Sequence, residues 1–76
     1  MSNEQEIAEI LSRESEEYKK LGEEHKNLEI MLTEIDRKLH LTTEEEVERK
    51  RIQKLKLLKK DRMAEIIRDY RKSHSN

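Results

Sequence analysis

The sequence predicts an all-α fold, two long helices in an antiparallel hairpin, on three observations. Apolar residues fall on steps of three and four from residue 7 to residue 39, with Glu14 and His25 at two of the steps, and gather on one broad helical face from residue 47 to residue 70. One cluster of helix-start signals, HLTTEEEV at residues 40–47, interrupts a run of strong helix formers. The composition, 46% charged with one Gly and no Pro, suits long solvated helices once a repeating apolar stripe is present; without the stripe it would suit a disordered chain.

The first helix is expected over about residues 4–40. Ile7, Leu11, Tyr18, Leu21, Leu28, Leu32, Ile35 and Leu39 form a heptad seam, with Glu14 and His25 filling the gaps. Such a seam faces one partner helix, and the Glu, Lys and Arg between its members belong to a solvated surface. Gly22 is the one break in propensity. The seam crosses it without a change of phase, so the expectation is a continuous helix with a weak point there, costing about 1 kcal/mol relative to Ala.

The turn falls at residues 41–42. Thr42 and Glu45 have the spacing of a capping box, in which a Thr hydroxyl and a Glu carboxylate each satisfy a free backbone N–H at a helix start. Glu44, Glu45 and Glu46 also suit the positive end of the helix dipole. A second helix is therefore expected over about residues 43–72, with a frayed tail at 73–76. A link this short makes the two helices antiparallel neighbours. Opposing positions then add to roughly 82, which sets Ile35 against Val47, Leu28 against Leu55, His25 against Leu58 and Leu11 against Tyr70 at about 100° per residue. Lys59 and Arg62 fall inside the second stripe, where their stems can cover apolar surface while their charges reach water.

Charge is divided between the arms. Residues 1–48 carry 15 acidic and 6 basic residues, and residues 49–76 carry 3 acidic and 11 basic. Antiparallel folding places a negative arm beside a positive one and disfavours pairing of like arms, although each exposed ion pair contributes only about 0.2–1 kcal/mol.

Several function classes find no support. The chain has no Cys, so it can form neither a disulfide nor a thiolate metal site. Its longest apolar run, Ile30 to Leu32, is far short of the roughly 20 residues of a membrane span, and its polar, acidic start does not have the form of a targeting peptide. The expected setting is the cytoplasm, without a membrane role. No nucleophile with a partnered base and no Gly-rich phosphate loop is present, and two helices enclose no pocket for a small-molecule substrate, so the chain reads as a non-enzyme without a cofactor. His25 with Glu29 one turn on supplies two potential zinc ligands where a closed site uses four; His25 reads as a packed seam residue and no metal site is expected.

The segments His25-x-x-Leu28-Glu29-x-x-Leu32, the Thr-capped turn and Lys56-Leu57-x-x-Lys60-Asp61 resemble the YdcH-like family of small bacterial proteins over roughly residues 18–70. The resemblance implies a bacterial, cytoplasmic helical hairpin of uncharacterised function and lends no catalytic residue. This chain departs from the family pattern at Lys59, where an apolar residue is expected.

Two functions remain. The first is a small protein–protein interaction or structural module, coiled-coil-like, that associates through its apolar stripe with itself as a homo-oligomer or with another protein's helix. Its candidate interface gathers toward the open end of the hairpin: Ile7, Ile10, Leu11, Tyr18, Ile66, Ile67 and Tyr70. The second, an alternative, is a nucleic-acid-binding accessory protein using the basic helix 49–62, with Arg49, Lys50, Arg51, Lys54, Lys56 and Lys60 as phosphate contacts. The chain has no Phe or Trp to stack on bases.

Overall fold

Each helix starts at a polar residue able to cap it. The computed structural model describes residues 3–74, and these form helices α1 (Glu4–Glu14), α2 (Glu16–Asp36) and α3 (Thr43–His74). Asn3 caps α1 by accepting a hydrogen bond from the Glu6 N–H at 2.8 Å. At α3 the predicted capping box is complete: the Glu45 N–H donates to Thr42 Oγ1 at 3.1 Å, and the Thr42 N–H donates to Glu45 Oε1 at 2.9 Å. Lys38 reaches across the turn to the same carboxylate.

The first arm, expected as one continuous helix, is two, so the described residues form three helices rather than two. Gly22 lies inside an uninterrupted α2, and the break is at Ser15, whose φ of −114° and ψ of 113° are extended rather than helical. Ser15 turns the chain without abandoning its hydrogen bonds. Its N–H still donates to the Leu11 carbonyl at 2.8 Å, its carbonyl accepts from the Lys19 N–H at 3.0 Å, and its hydroxyl accepts from the Tyr18 N–H at 3.1 Å. It is thus an N-cap set between two helices, followed by the acidic first turn of Glu16 and Glu17.

The bend brings α1 back over the open end of the hairpin. In a straight helix Glu4 and Tyr18 would lie about 21 Å apart; here the Glu4 carboxylate is close enough to act on the Tyr18 hydroxyl, and the two line one groove with Met63 and Ile67. The overall dimensions agree. The Cα trace spans 53 × 20 × 16 Å, whereas two helices with Cα cylinders of about 2.3 Å radius packed 8–10 Å apart fill a section only about 5 Å thick. The third helix supplies the remaining thickness.

α2 and α3 run antiparallel. Ion pairs join Glu17 to Arg62, Glu24 to Lys59, Glu29 to Lys56 and Asp36 to Arg49. Partner numbers fall as α2 numbers rise and stay within a few residues of the expected register. α2 ends at Asp36, not near residue 40, with Arg37 as its C-cap and a last-turn bond from the Lys38 N–H to the Ile35 carbonyl. Leu39 is therefore outside the seam and 95% exposed. Val47 and Leu58, expected to meet Ile35 and His25, are also more than half exposed. They lie about 140° and 120° around α3 from buried Ile52, too far to face α2. α3 continues through Ser73 and His74, so that part of the expected tail is helical; Ser75 and Asn76 lie outside the described residues.

Candidate functional site

The cross-arm ion pairs sort onto two faces of the hairpin, and helical periodicity dictates which. Glu29 and Asp36 are seven apart on α2, as are Arg49 and Lys56 on α3, so these pairs share one face. Glu17 and Glu24 are likewise seven apart, and their partners Arg62 and Lys59 are three apart, so these pairs share the opposite face. Each face is half ion-paired and half apolar, and the halves are reversed between them.

On the first face the ion pairs lie near the turn. Arg49 Nε donates to Asp36 Oδ1 at 2.7 Å, which holds the Asp36 carboxyl below its usual range, chiefly through that bond and also through the guanidinium charge. The Glu45 carboxyl is lowered in the same way, by Lys38 first and then by the Thr42 N–H. Toward the open end this face becomes a groove of about 420 Å³ whose walls include Tyr18, His25, Lys60 and Met63. α1 closes its far end. Ile7, Leu11 and Tyr18 form a buried cluster there, with Ala8, Met63, Ile66, Ile67 and Tyr70 packed against it. Burial raises the Tyr18 hydroxyl above the usual tyrosine range, and the nearby Glu4 carboxylate adds to the effect.

The residues expected to form an open-end interface are thus largely brought together, but as an internal core. Ile7 is 1% exposed, and Leu11 and Tyr18 are also buried. Ile10, Ile66, Ile67 and Tyr70 are half-buried. The bend that makes this core is signalled by Ser15-Glu16-Glu17, a capping residue before two acids, which the unbroken heptad spacing outweighed.

On the second face the order reverses. Glu17–Arg62, at 3.0 Å, and Glu24–Lys59, at 3.5 Å, bridge the open half. Arg62 also bonds Glu65 on its own helix, and both carboxylates push its guanidinium pKa further up. Lys59 and Arg62, expected inside the second stripe, pair at its edge with acids of α2. Continuing the same two helical rows toward the turn gives Leu28, Met31 and Ile35 on α2 and Leu55 and Leu58 on α3. Leu28, Ile35 and Leu55 are half-buried, while Met31 is 47% and Leu58 56% exposed. Leu32 and Ile52 are buried between the arms at this level. Leu28 and Ile35 belong to the expected seam and Leu55 and Leu58 to the second stripe, whereas Met31 lies outside both, so no sequence signal sets this strip apart as an interface.

Among the basic candidates, Arg49 is held by Asp36, Lys56 by Glu29 at 3.5 Å, and Arg51 by Glu48 at 3.8 Å. Lys50, Lys54 and Lys60 have no ion-pair partner among the described residues. No group of three or more His, Asp or Glu side chains is placed to hold a metal ion among the described residues, and no described helix is long and apolar enough to cross a membrane.

Comparison with known proteins adds no relative to this geometry: no family model, no curated protein and no solved structure matches the chain.

Proposed function

We propose that this chain is a small non-catalytic interaction module of the bacterial cytoplasm, binding a helical protein surface through the strip of Leu28, Met31, Ile35, Leu55 and Leu58. One observation carries the reading. The two faces of the hairpin have apolar halves at opposite ends; α1 packs against the far end of one, while no element of the described chain packs on the other. Exposed apolar side chains that are continuous along a face and rimmed by charge mark association surfaces in small proteins. The resemblance to YdcH-like hairpins agrees with the reading but supplies no function.

A photo-crosslinking residue placed at Leu58 tests it. Expressed in cells, that variant should give a discrete adduct, identified by mass spectrometry as this chain or another protein. A crosslinker at Lys72, on the outer side of α3, should give none. Absence of any adduct at Leu58, with the variant folded, would remove the reading.

A second reading, binding of a nucleic-acid backbone, is favoured only by Lys50, Lys54 and Lys60. Three phosphate contacts require log affinity to fall with log salt at a slope near −2.7 on duplex DNA, about −0.9 for each phosphate. A titration against DNA or RNA at two salt concentrations checks this, and no binding at low salt ends it.

A further inference from the structure

We infer that the occupant of the uncovered strip is a second copy of this chain, lying parallel to the first with its turn beside the first copy's turn. The inference rests on the preceding reading and specifies its partner. Both arms contribute to the strip, two residues from α3 and three from α2. A second strip laid face to face about a two-fold axis therefore meets apolar surface along its whole width, as a self-complementary contact requires.

Charge selects the orientation. Residues 49–60 hold seven Lys or Arg and no acid, and residues 23–36 hold five acids and one Lys. Two face-to-face arrangements have two-fold symmetry. If the axis crosses the rod, the copies are antiparallel and each arm stacks on its own counterpart, so the basic arm of one copy, with Lys59 and Arg62 on the contact face, lies on the basic arm of the other. If the axis runs along the rod, the copies are parallel and each acidic arm stacks on the other copy's basic arm. The second arrangement is a four-helix bundle in which every adjacent helix has the opposite sign, the complementarity that fixes register and suppresses wrong pairings.

The ion-paired half of the same face agrees. Glu24 and Lys59 are at one height and bonded within the chain. In the parallel arrangement Glu24 of one copy lies above Lys59 of the other, so the bridge extends across the contact. The antiparallel arrangement would bring the ion pairs of each copy past the end of the other's strip, with no such partner. α1 lies over the open end of the groove face, leaving the strip accessible.

The absence of cysteine makes the test direct. Arg68 is exposed near the open end of α3, and an Arg68→Cys variant can carry a nitroxide label for pulsed electron–electron distance measurement. Sixteen residues separate it from Ile52 at the level of the strip, about 24 Å along the helix. An antiparallel pair centred on the strip would hold the two labels about 50 Å apart. A parallel pair keeps them at one height, separated only across the bundle, by roughly 20–35 Å. The expected result is a dimer by sedimentation equilibrium with the shorter distance. Met31→Asp with Leu58→Asp should weaken dimerisation by roughly 100-fold or more while leaving helix content intact, since neither side chain is buried in the monomer and a carboxylate is costly only in the contact. A chain that stays monomeric at all concentrations, or a distance near 50 Å, would overturn the inference. A monomer that still yields a discrete heterologous adduct at Leu58 would sink the dimer and leave the interaction reading standing.

Discussion

Replacing Ile7 with Ala distinguishes the folded-back architecture from a straight hairpin. In a straight rod Ile7 would lie at the end of the first helix, beyond or beside the last turn of the second, and truncating it would cost a few tenths of a kcal/mol, as for other exposed surface positions. In the structure Ile7 is 1% exposed and packs in the cluster with Leu11 and Tyr18. Removing a fully buried Ile side chain down to Ala costs about 2–5 kcal/mol, the transfer term plus the cavity left behind. The site is on a short helix able to shift, so the lower part of that range, about 2–3 kcal/mol, is expected. For a domain of this size that lowers Tm by roughly 10–20 °C, at about 4–8 °C per kcal/mol. Far-UV circular dichroism during urea and thermal unfolding reads both quantities, with the m-value checking that the transition remains two-state. Ile10→Ala, at a half-buried neighbour, should cost clearly less. A loss under about 0.5 kcal/mol for Ile7→Ala would refute the packing of α1 described above, because no cavity of consequence would have been made.

Three other substitutions or conditions have definite signs. Gly22 has no positive φ, and a Cβ added there would sit 3.8 Å from Met63 Cε, an ordinary contact; Gly22→Ala should therefore stabilise the protein by about 0.5–1 kcal/mol, and a loss of stability on urea titration would show that α2 needs the glycine. Thr42→Ala removes the hydroxyl that accepts from Glu45 N–H and should cost about 0.5–2 kcal/mol; an unchanged urea midpoint would mean the capping box contributes nothing in solution. Asp36 and Glu45 titrate below their usual range when folded, so the unfolded chain binds protons first on acidification. Their contribution is complete above the ordinary carboxylate pKa values of about 4 and is lost as pH falls below them. Tm should be level from pH 6 to 8 and fall below pH 4, and Asp36→Asn should make that fall shallower; an identical acid limb in the variant would contradict the assignment.

The parts of the fold that were legible in the sequence are those decided by neighbours in the chain. Thr42 and Glu45 satisfy each other across three residues, so their spacing alone located the turn, and the opposed charge of the arms followed from counting. The break at Ser15 was obscured because Ile7 and Leu11 fit one heptad with Tyr18 and Leu21 whether or not the helix bends. A register maintained on both sides of a residue carries no trace of the angle between them. The end of α2 was misplaced for a related reason: Leu39 kept the period, and no Gly or Pro follows Asp36 to mark the stop. The uncovered strip could not be identified because its exposure depends on which face α1 settles on. That is decided by Met63, Ile66, Ile67 and Tyr70, residues more than fifty positions from Ile7 in the chain.

That distance bears on the order in which the molecule is made. Every α3 residue packed against the α1 cluster lies at or beyond Met63. During synthesis from the N-terminus, Ile7 and Leu11 meet Tyr18 early, but the α3 part of their packing, from Met63 onward, emerges more than fifty residues after Ile7. The bend at Ser15 is then closed by long-range contacts, each requiring the intervening loop to be closed first. Full packing of α1 is therefore a late event, completed when the C-terminal turns of α3 arrive, and truncating the chain after Lys60 would leave Ile7 and Leu11 with only Tyr18 of their cluster.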